Sequence, residues 1–169
     1  FLLASFIVNP SYISSWSALR FYNLTDQLPN NIFIFSSKNH KNLEFKGVKI
    51  LFFKTKDLWG YKKERYMGFD IFIVEQEKAI IDSLVSRSVP LDEIESAISS
   101  QEISLDKLKE YVLRTKNCSL IKKIGFLLDE KGITTNDLIS FVDYNYIFLD
   151  SFKKKKGEKN KKWRIVDNR

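Results

Sequence analysis

Phe69-Asp70-Ile71-Phe72-Ile73-Val74 runs without a break into Glu75-Gln76-Glu77-Lys78-Ala79-Ile80-Ile81-Asp82-Ser83-Leu84, and the apolar pattern changes at the join. Before it, β-branched and aromatic residues crowd together as in a strand. After it, Ala79, Ile80, Leu84 and Val85 fall on one broad helical stripe over residues 75–87. A sheet upstream and helices downstream make the expected class α+β.

Three more strand-like runs precede the join. They are Ile32-Phe33-Ile34-Phe35, Val48-Lys49-Ile50-Leu51-Phe52-Phe53 and residues 60–67, with Gly68 leading into the fourth. The first is continuously apolar, which predicts that helices cover at least one face of a small mixed sheet within 31–74. A polar connector over 36–46, ending at Gly47, reads as a loop. Residues 1–30 read as a helical opening: a helix over 1–8, a break at Asn9-Pro10, then a helix over 13–22. In that second helix Ile13, Trp16, Leu19 and Tyr22 share a face, with Ser11 or Ser14 as its cap.

Downstream, residues 75–143 predict a layer of four to five helices. Pro90-Leu91, Ser104, Ser119 and Thr134-Thr135-Asn136-Asp137 mark their starts, and Gly132 marks a stop. Residues 144–149 read as a turn or a short strand. A basic tail follows, whose Trp163-Arg164-Ile165-Val166 reads as a strand returning to the sheet. Trp16 and Trp163 are both expected inside. No repeat or long linker divides the chain, so residues 1–169 are read as one domain.

Composition narrows the function classes. With 44% hydrophobic residues, 6 Gly and 3 Pro, the chain has the material for a core, which excludes disordered and collagen-like classes. The single cysteine, Cys118, forms no internal disulfide, and no apolar run approaches the ~18 residues of a membrane span. A soluble, cytoplasmic chain with no membrane partner is expected. The chain opens on Phe1 rather than Met, and further residues are expected before it.

The net charge of +7 is segregated. Residues 38–68 hold nine cations and three anions, residues 69–110 four and ten, and residues 151–169 nine and two. Basic stretches attract polyanions and release their counterions. The candidate nucleic-acid-binding residues are therefore Lys153, Lys154, Lys155, Lys156, Lys159, Lys161, Lys162 and Arg164. Against this, 22 Lys to 6 Arg suits a merely solvated surface, since specific phosphate and base reading favours the guanidinium fork.

Candidate chemistry is sparse. His40 sits in a polar loop with no nucleophile string near it, and Cys118 precedes a helix whose dipole would favour a thiolate, although a small apolar filler is the commoner role. The six glycines form no phosphate loop. Asp70, Glu75, Glu77, Lys78 and Asp82 at the strand-to-helix join could hold Mg²⁺ for phosphodiester hydrolysis. The plainer reading has Glu75 and Glu77 stabilised by the helix dipole, with Lys78 and Asp82 as a surface i,i+4 pair. No catalytic residue, metal or cofactor is assigned.

Four strings stand in a telling order. Tyr12-Ile13-Ser14-Ser15-Trp16-Ser17-Ala18-Leu19, with Tyr22 and Leu24, resembles the Y-I-S-x-x-S-A-L-x-x-x-x-L segment of AbiEi-type antitoxins. Glu77-Lys78-Ala79 with Asp82 and Leu84 resembles that family's E-K-A-x-x-D-x-L helix start. Gly125-Phe126-Leu127-Leu128-Asp129 resembles its G-x-L-L-E helix, with Asp129 in place of Glu, and Lys162-Trp163 with Asn168 its closing K-W-x-x-x-x-N strand. The matching residues Tyr12, Ser14, Ser17, Ala18, Leu19, Glu77, Lys78, Asp82 and Trp163 belong to a stretch covering 12–168. The resemblance implies a non-enzymatic antitoxin of a type IV toxin–antitoxin system, linked to transcriptional autoregulation. It implies as partner a co-encoded nucleotidyltransferase-like toxin, neutralised with or without a direct complex. Members of the family usually carry a winged helix-turn-helix domain, their main reader of DNA, before this segment; the sequence opens where that domain would end, so the resemblance implies the antitoxin core. The alternatives are a DNA-binding accessory or transcription-regulator domain and, third, a metal-dependent nuclease.

Overall fold

The computed structural model describes residues 8–169, so the helix expected over 1–8 lies, apart from Val8, outside the described residues. Strands β1 (Ser11–Ile13), β2 (Asn31–Ser36), β3 (Leu43–Phe45), β4 (Val48–Lys54), β5 (Tyr61–Tyr66) and β6 (Phe69–Val74) form one mixed sheet in the order β3-β4-β2-β1-β6-β5. Helix α1 (Trp16–Phe21) follows β1. The helices α2 (Gln76–Ser86), α3 (Leu91–Ile98), α4 (Leu105–Arg114), α5 (Cys118–Glu130) and α6 (Asn136–Ile139) follow the sheet, and the class is α+β. Among the described residues no helix is long and apolar enough to cross a membrane.

The largest departure from the sequence reading is β1. Tyr12 and Ile13 extend instead of joining a helix, and Ser15, with φ at 54°, breaks the chain between strand and helix. The segment fills the gap between β2 and β6, antiparallel to one (Tyr12↔Phe35) and parallel to the other (Ile13↔Ile73). Burial on both sides of a central strand outweighs a helical spacing that only three residues of α1 and its end sustain. Ser11 and Ser14 do not cap α1: Ser11 Oγ donates to the Val8 carbonyl, and Ser14 Oγ donates to Asp82. Trp16 is only half-buried, its indole N–H donating to the Ser88 carbonyl at 2.7 Å.

Strand β2 has neighbours on both edges, β4 in parallel and β1 antiparallel, which suits its unbroken apolar run. Its period of two sorts its side chains to opposite faces. Phe35 stacks between Tyr12 (5.8 Å) and Phe53 (5.2 Å), and Tyr61 stacks on the far side of Tyr12 (5.2 Å). This aromatic row ties four strands together by offset stacking. Ile34 and Ile50 form a separate small cluster with Ile32 and Phe52. The polar connector is not all loop, since β3 pairs with β4 across Lys46-Gly47. That turn and Met67-Gly68 between β5 and β6 both place positive φ at the two central residues, the I′ geometry that matches strand twist.

The tail also departs from the reading. Strand β9 (Ile165–Asp167) does not rejoin the main sheet; it lies between β7 (Ile147–Phe148) and β8 (Glu158–Asn160) in a three-stranded sheet. Trp163 precedes it in a turn, and Arg164 has φ at 52°. One core nevertheless runs from Tyr12 through Ile71, Ile80, Leu108 and Ile124 to Trp163 and Ile165. Val85, counted in the apolar stripe of α2, is exposed, and α5 is capped by Asn117, not Ser119.

Candidate functional site

The four family-like strings meet in pairs. Strand β1 delivers Tyr12 and Ser14 to the inner face of α2, where Lys78 and Asp82 lie one turn apart. Lys78 donates to Asp82 Oδ1, Ser14 Oγ donates to Asp82 Oδ2 at 2.7 Å, and Lys78 Nζ reaches the Tyr12 hydroxyl at 3.2 Å. The Tyr12 hydroxyl donates to the Asp57 carbonyl at 3.2 Å, and the Lys78 ammonium sits 4.8 Å from the Trp59 ring. All four side chains are essentially sealed: Lys78 and Tyr12 are 1% exposed, Asp82 2% and Ser14 0%. The expected surface pair is thus a buried one, because β1 and the 57–61 segment close over it.

Burial drives the Asp82 carboxyl above its ordinary range, against the Lys78 ammonium and the Ser14 hydroxyl, which pull it down. It raises the Tyr12 phenol too, with the charge of Asp82 adding to the effect. Such a network fixes geometry, and it offers no surface to a substrate. Ser17, from the same string, accepts the Phe33 backbone N–H at 3.1 Å, while Ala18 and Leu19 are fully buried in α1.

The third and fourth strings form the second pair. Trp163 is wholly buried and donates its indole N–H to Asp129 Oδ2 at 3.1 Å, while Lys162 Nζ bonds Oδ1 at 2.6 Å. Gly125 lies directly beneath the indole: a Cβ there would stand 2.1 Å from Cζ3 of Trp163. The glycine is required by close approach. Asn168 closes the string by donating to the Asp150 and Lys154 carbonyls and accepting the Asp150 N–H.

The acidic join does not assemble as a metal site. Glu75, at the start of α2, accepts the Tyr111 hydroxyl and faces Lys107 at 3.3 Å. Burial pushes its carboxyl up, but these two donors outweigh it and hold it low, while the Tyr111 phenol, by burial first and then Glu75, is pushed up to about 12. Glu77 is 3% exposed, accepts the Ser104 N–H at 3.1 Å and meets Lys107 at 3.2 Å. Asp70 pairs with Lys63 at 2.6 Å on the β5–β6 hairpin. Among the described residues no group of three or more His, Cys, Asp and Glu is placed to hold a metal. His40 leans on Phe52 at 5.3 Å with Ser36 Oγ at 3.5 Å. Cys118 is the first residue of α5, half-exposed, with its Sγ bonded to the Phe141 carbonyl; burial pushes the thiol up, so neither the apolar filler nor the activated thiolate describes it.

The eight basic tail residues do not share one face. Lys162 is spent on Asp129, and Lys159 and Arg164 pack over Tyr146 at 5.2 and 5.5 Å. Lys161, Lys154 and Lys156 are exposed without ion pairs among the described residues. Lys153 and Lys155, by contrast, line an open cleft of about 340 Å³ with Arg87 from the end of α2 and Lys123 from α5. Sequence reading passed over Arg87 and Lys123, and also Lys122, a buried lysine bonded to Asp143 and to the Asn145 carbonyl, each at 2.5 Å. The available signal was the doubled Lys122-Lys123 inside an otherwise apolar helix. No protein-family model matches the chain, and no curated protein matches it significantly.

Proposed function

We propose that the chain is the core of an AbiEi-type antitoxin, which relieves the toxicity of a nucleotidyltransferase-like partner encoded beside it without itself catalysing a reaction. The observation that supports this reading is the pairing of the four strings. Tyr12 and Ser14 are locked to Lys78 and Asp82, and Gly125 and Asp129 to Trp163, so the residues carrying the resemblance are those that hold the two ends of the fold in place. Side chains with such fixed partners set the geometry of a fold, so the match to the family's strings falls on structural positions.

The test is genetic. The reading frame adjoining this gene, expressed alone, should arrest growth, and co-expression of this chain should restore it. Arrest that persists despite soluble, folded chain defeats the proposal, as does a neighbouring frame with no nucleotidyltransferase-like signature. A second reading, a DNA-contacting accessory domain, draws on the tail charge. It expects binding whose log K falls with log salt at about −0.9 per phosphate contacted, and replacement of Lys153–Lys156 by Gln would then shift the slope by roughly 3–4.

A further inference from the structure

We propose that the cleft between the end of α2, the start of α5 and the 151–155 loop binds a compact polyphosphate, such as the di- or triphosphate group of a nucleotide. Arg87, Lys123, Lys153 and Lys155 converge on it from three separate parts of the chain, and none of the four forms an ion pair among the described residues. Among the described residues the only carboxylate lining the cleft is Asp150, whose Oδ1 already accepts the Phe152 N–H at 2.7 Å. Lys123 is half-buried, and its ammonium has Ser151 Oγ, at 3.3 Å, as hydrogen-bond partner. Four cations lining one cleft against a single carboxylate give it a positive field that a multiply charged anion would neutralise. Burial, and after it the charge of Arg87, lowers the Lys123 ammonium, which agrees with this geometry.

The chemistry points to phosphate because an arginine fork, lysine point charges and the hydroxyls of Ser119 and Ser151 are the donors a phosphate chain takes. Compactness follows from the alternation of the lysine run. Lys153 and Lys155 line the cleft while Lys154 and Lys156 do not, so the run is no continuous track for a nucleic-acid backbone. The inference stands apart from the antitoxin proposal and does not depend on it.

That alternation supplies the test. Lys153→Gln/Lys155→Gln and Lys154→Gln/Lys156→Gln remove the same charge from the same exposed loop and differ only in which side chains line the cleft. Binding of inorganic triphosphate is measured by titration calorimetry, with a nucleoside triphosphate and a short single-stranded oligonucleotide as parallel ligands. Arg87→Gln and Lys123→Gln are added, with thermal melts to confirm folding. Saturable one-to-one binding of triphosphate is expected, weakened about tenfold or more (roughly 1.4 kcal/mol) by the Lys153/Lys155 pair and by Arg87→Gln, and less than about twofold by the Lys154/Lys156 pair. A nucleoside triphosphate that binds no tighter identifies the phosphate chain as the whole ligand; one that binds tighter extends the site to the nucleoside. Equal losses in the two double variants, no saturable binding, or an oligonucleotide that outcompetes triphosphate would each overturn the inference.

Discussion

Asp82 and Lys78 carry ionisable side chains, yet neither reaches water, and they are held by each other and by the hydroxyls of Ser14 and Tyr12. Removing one member of such a pair leaves the other buried and uncompensated, at about 3–5 kcal/mol, whereas replacing both by apolar residues of similar volume is often close to neutral. Asp82→Ala should therefore lower the urea midpoint severely, and Lys78→Met/Asp82→Leu should recover most of the loss. If the double variant is as unstable as the single one, the ion pair is not the source of the effect. The i,i+4 spacing made this pair legible in the sequence, but not its burial, because what covers it is β1, read there as helix. A three-residue strand carries too few residues for its period to compete with a stepping of three that continues into a real helix.

At the scale of elements, runs with their own local pattern or cap were legible, and those that need a distant partner were not. The extended runs of β2, β4, β5 and β6 and the helices from α2 to α6 follow from their patterns, whereas β1, β3 and the pairing of β9 depend on partners far along the chain. The contact of α5 with the turn before β9 is of this second kind. Gly125 reads as a helix-weakening residue until Trp163 is seen lying on it. Gly125→Ala should cost about 1–3 kcal/mol by overpacking, although alanine is the better helix former. Trp163→Ala should cost about 3–5 kcal/mol. In the Trp163→Ala background the penalty of Gly125→Ala should disappear or reverse, since the clash is gone and only helix propensity remains. Calorimetric melts of the four proteins check this, and additive costs would contradict the close approach.

Over the whole molecule, several carboxylates are held below their ordinary range, and their protonation is expected to contribute to the acid limit of the fold. Asp143 is lowered from 3.8 to about 2, first by the hydrogen bond from the Lys122 ammonium and then by the Asn145 backbone N–H. Asp129 is lowered chiefly by Lys162, and Asp167 chiefly by Arg169. A folded-state value below the unfolded one means that the stabilisation is complete above about pH 4 and is lost as pH falls through the folded value near 2. The urea midpoint should fall across that window, and Asp143→Asn should flatten the part of the decline it owns while lowering the midpoint at neutral pH. A decline of unchanged steepness in the variant would show that other groups govern the acid limit. The candidate anion cleft belongs to this scale too, and it was the least legible feature. Its cations come from Arg87, Lys123 and the loop, and only folding brings them together.

The strand order has a temporal consequence. β2 with β3 and β4 makes one ribbon, β5 with β6 makes another, and in the strand order β1 is what joins the two. Ile13 is made before either of its partners, and Ile34 is available to one of its edges well before Ile73 is available to the other. For that interval the nascent chain carries an open strand edge, the feature that invites pairing with a foreign chain. Pairing β1 with β6 joins residues far apart in the chain, a long-range contact that raises contact order and slows completion of the sheet relative to the local hairpins at each end.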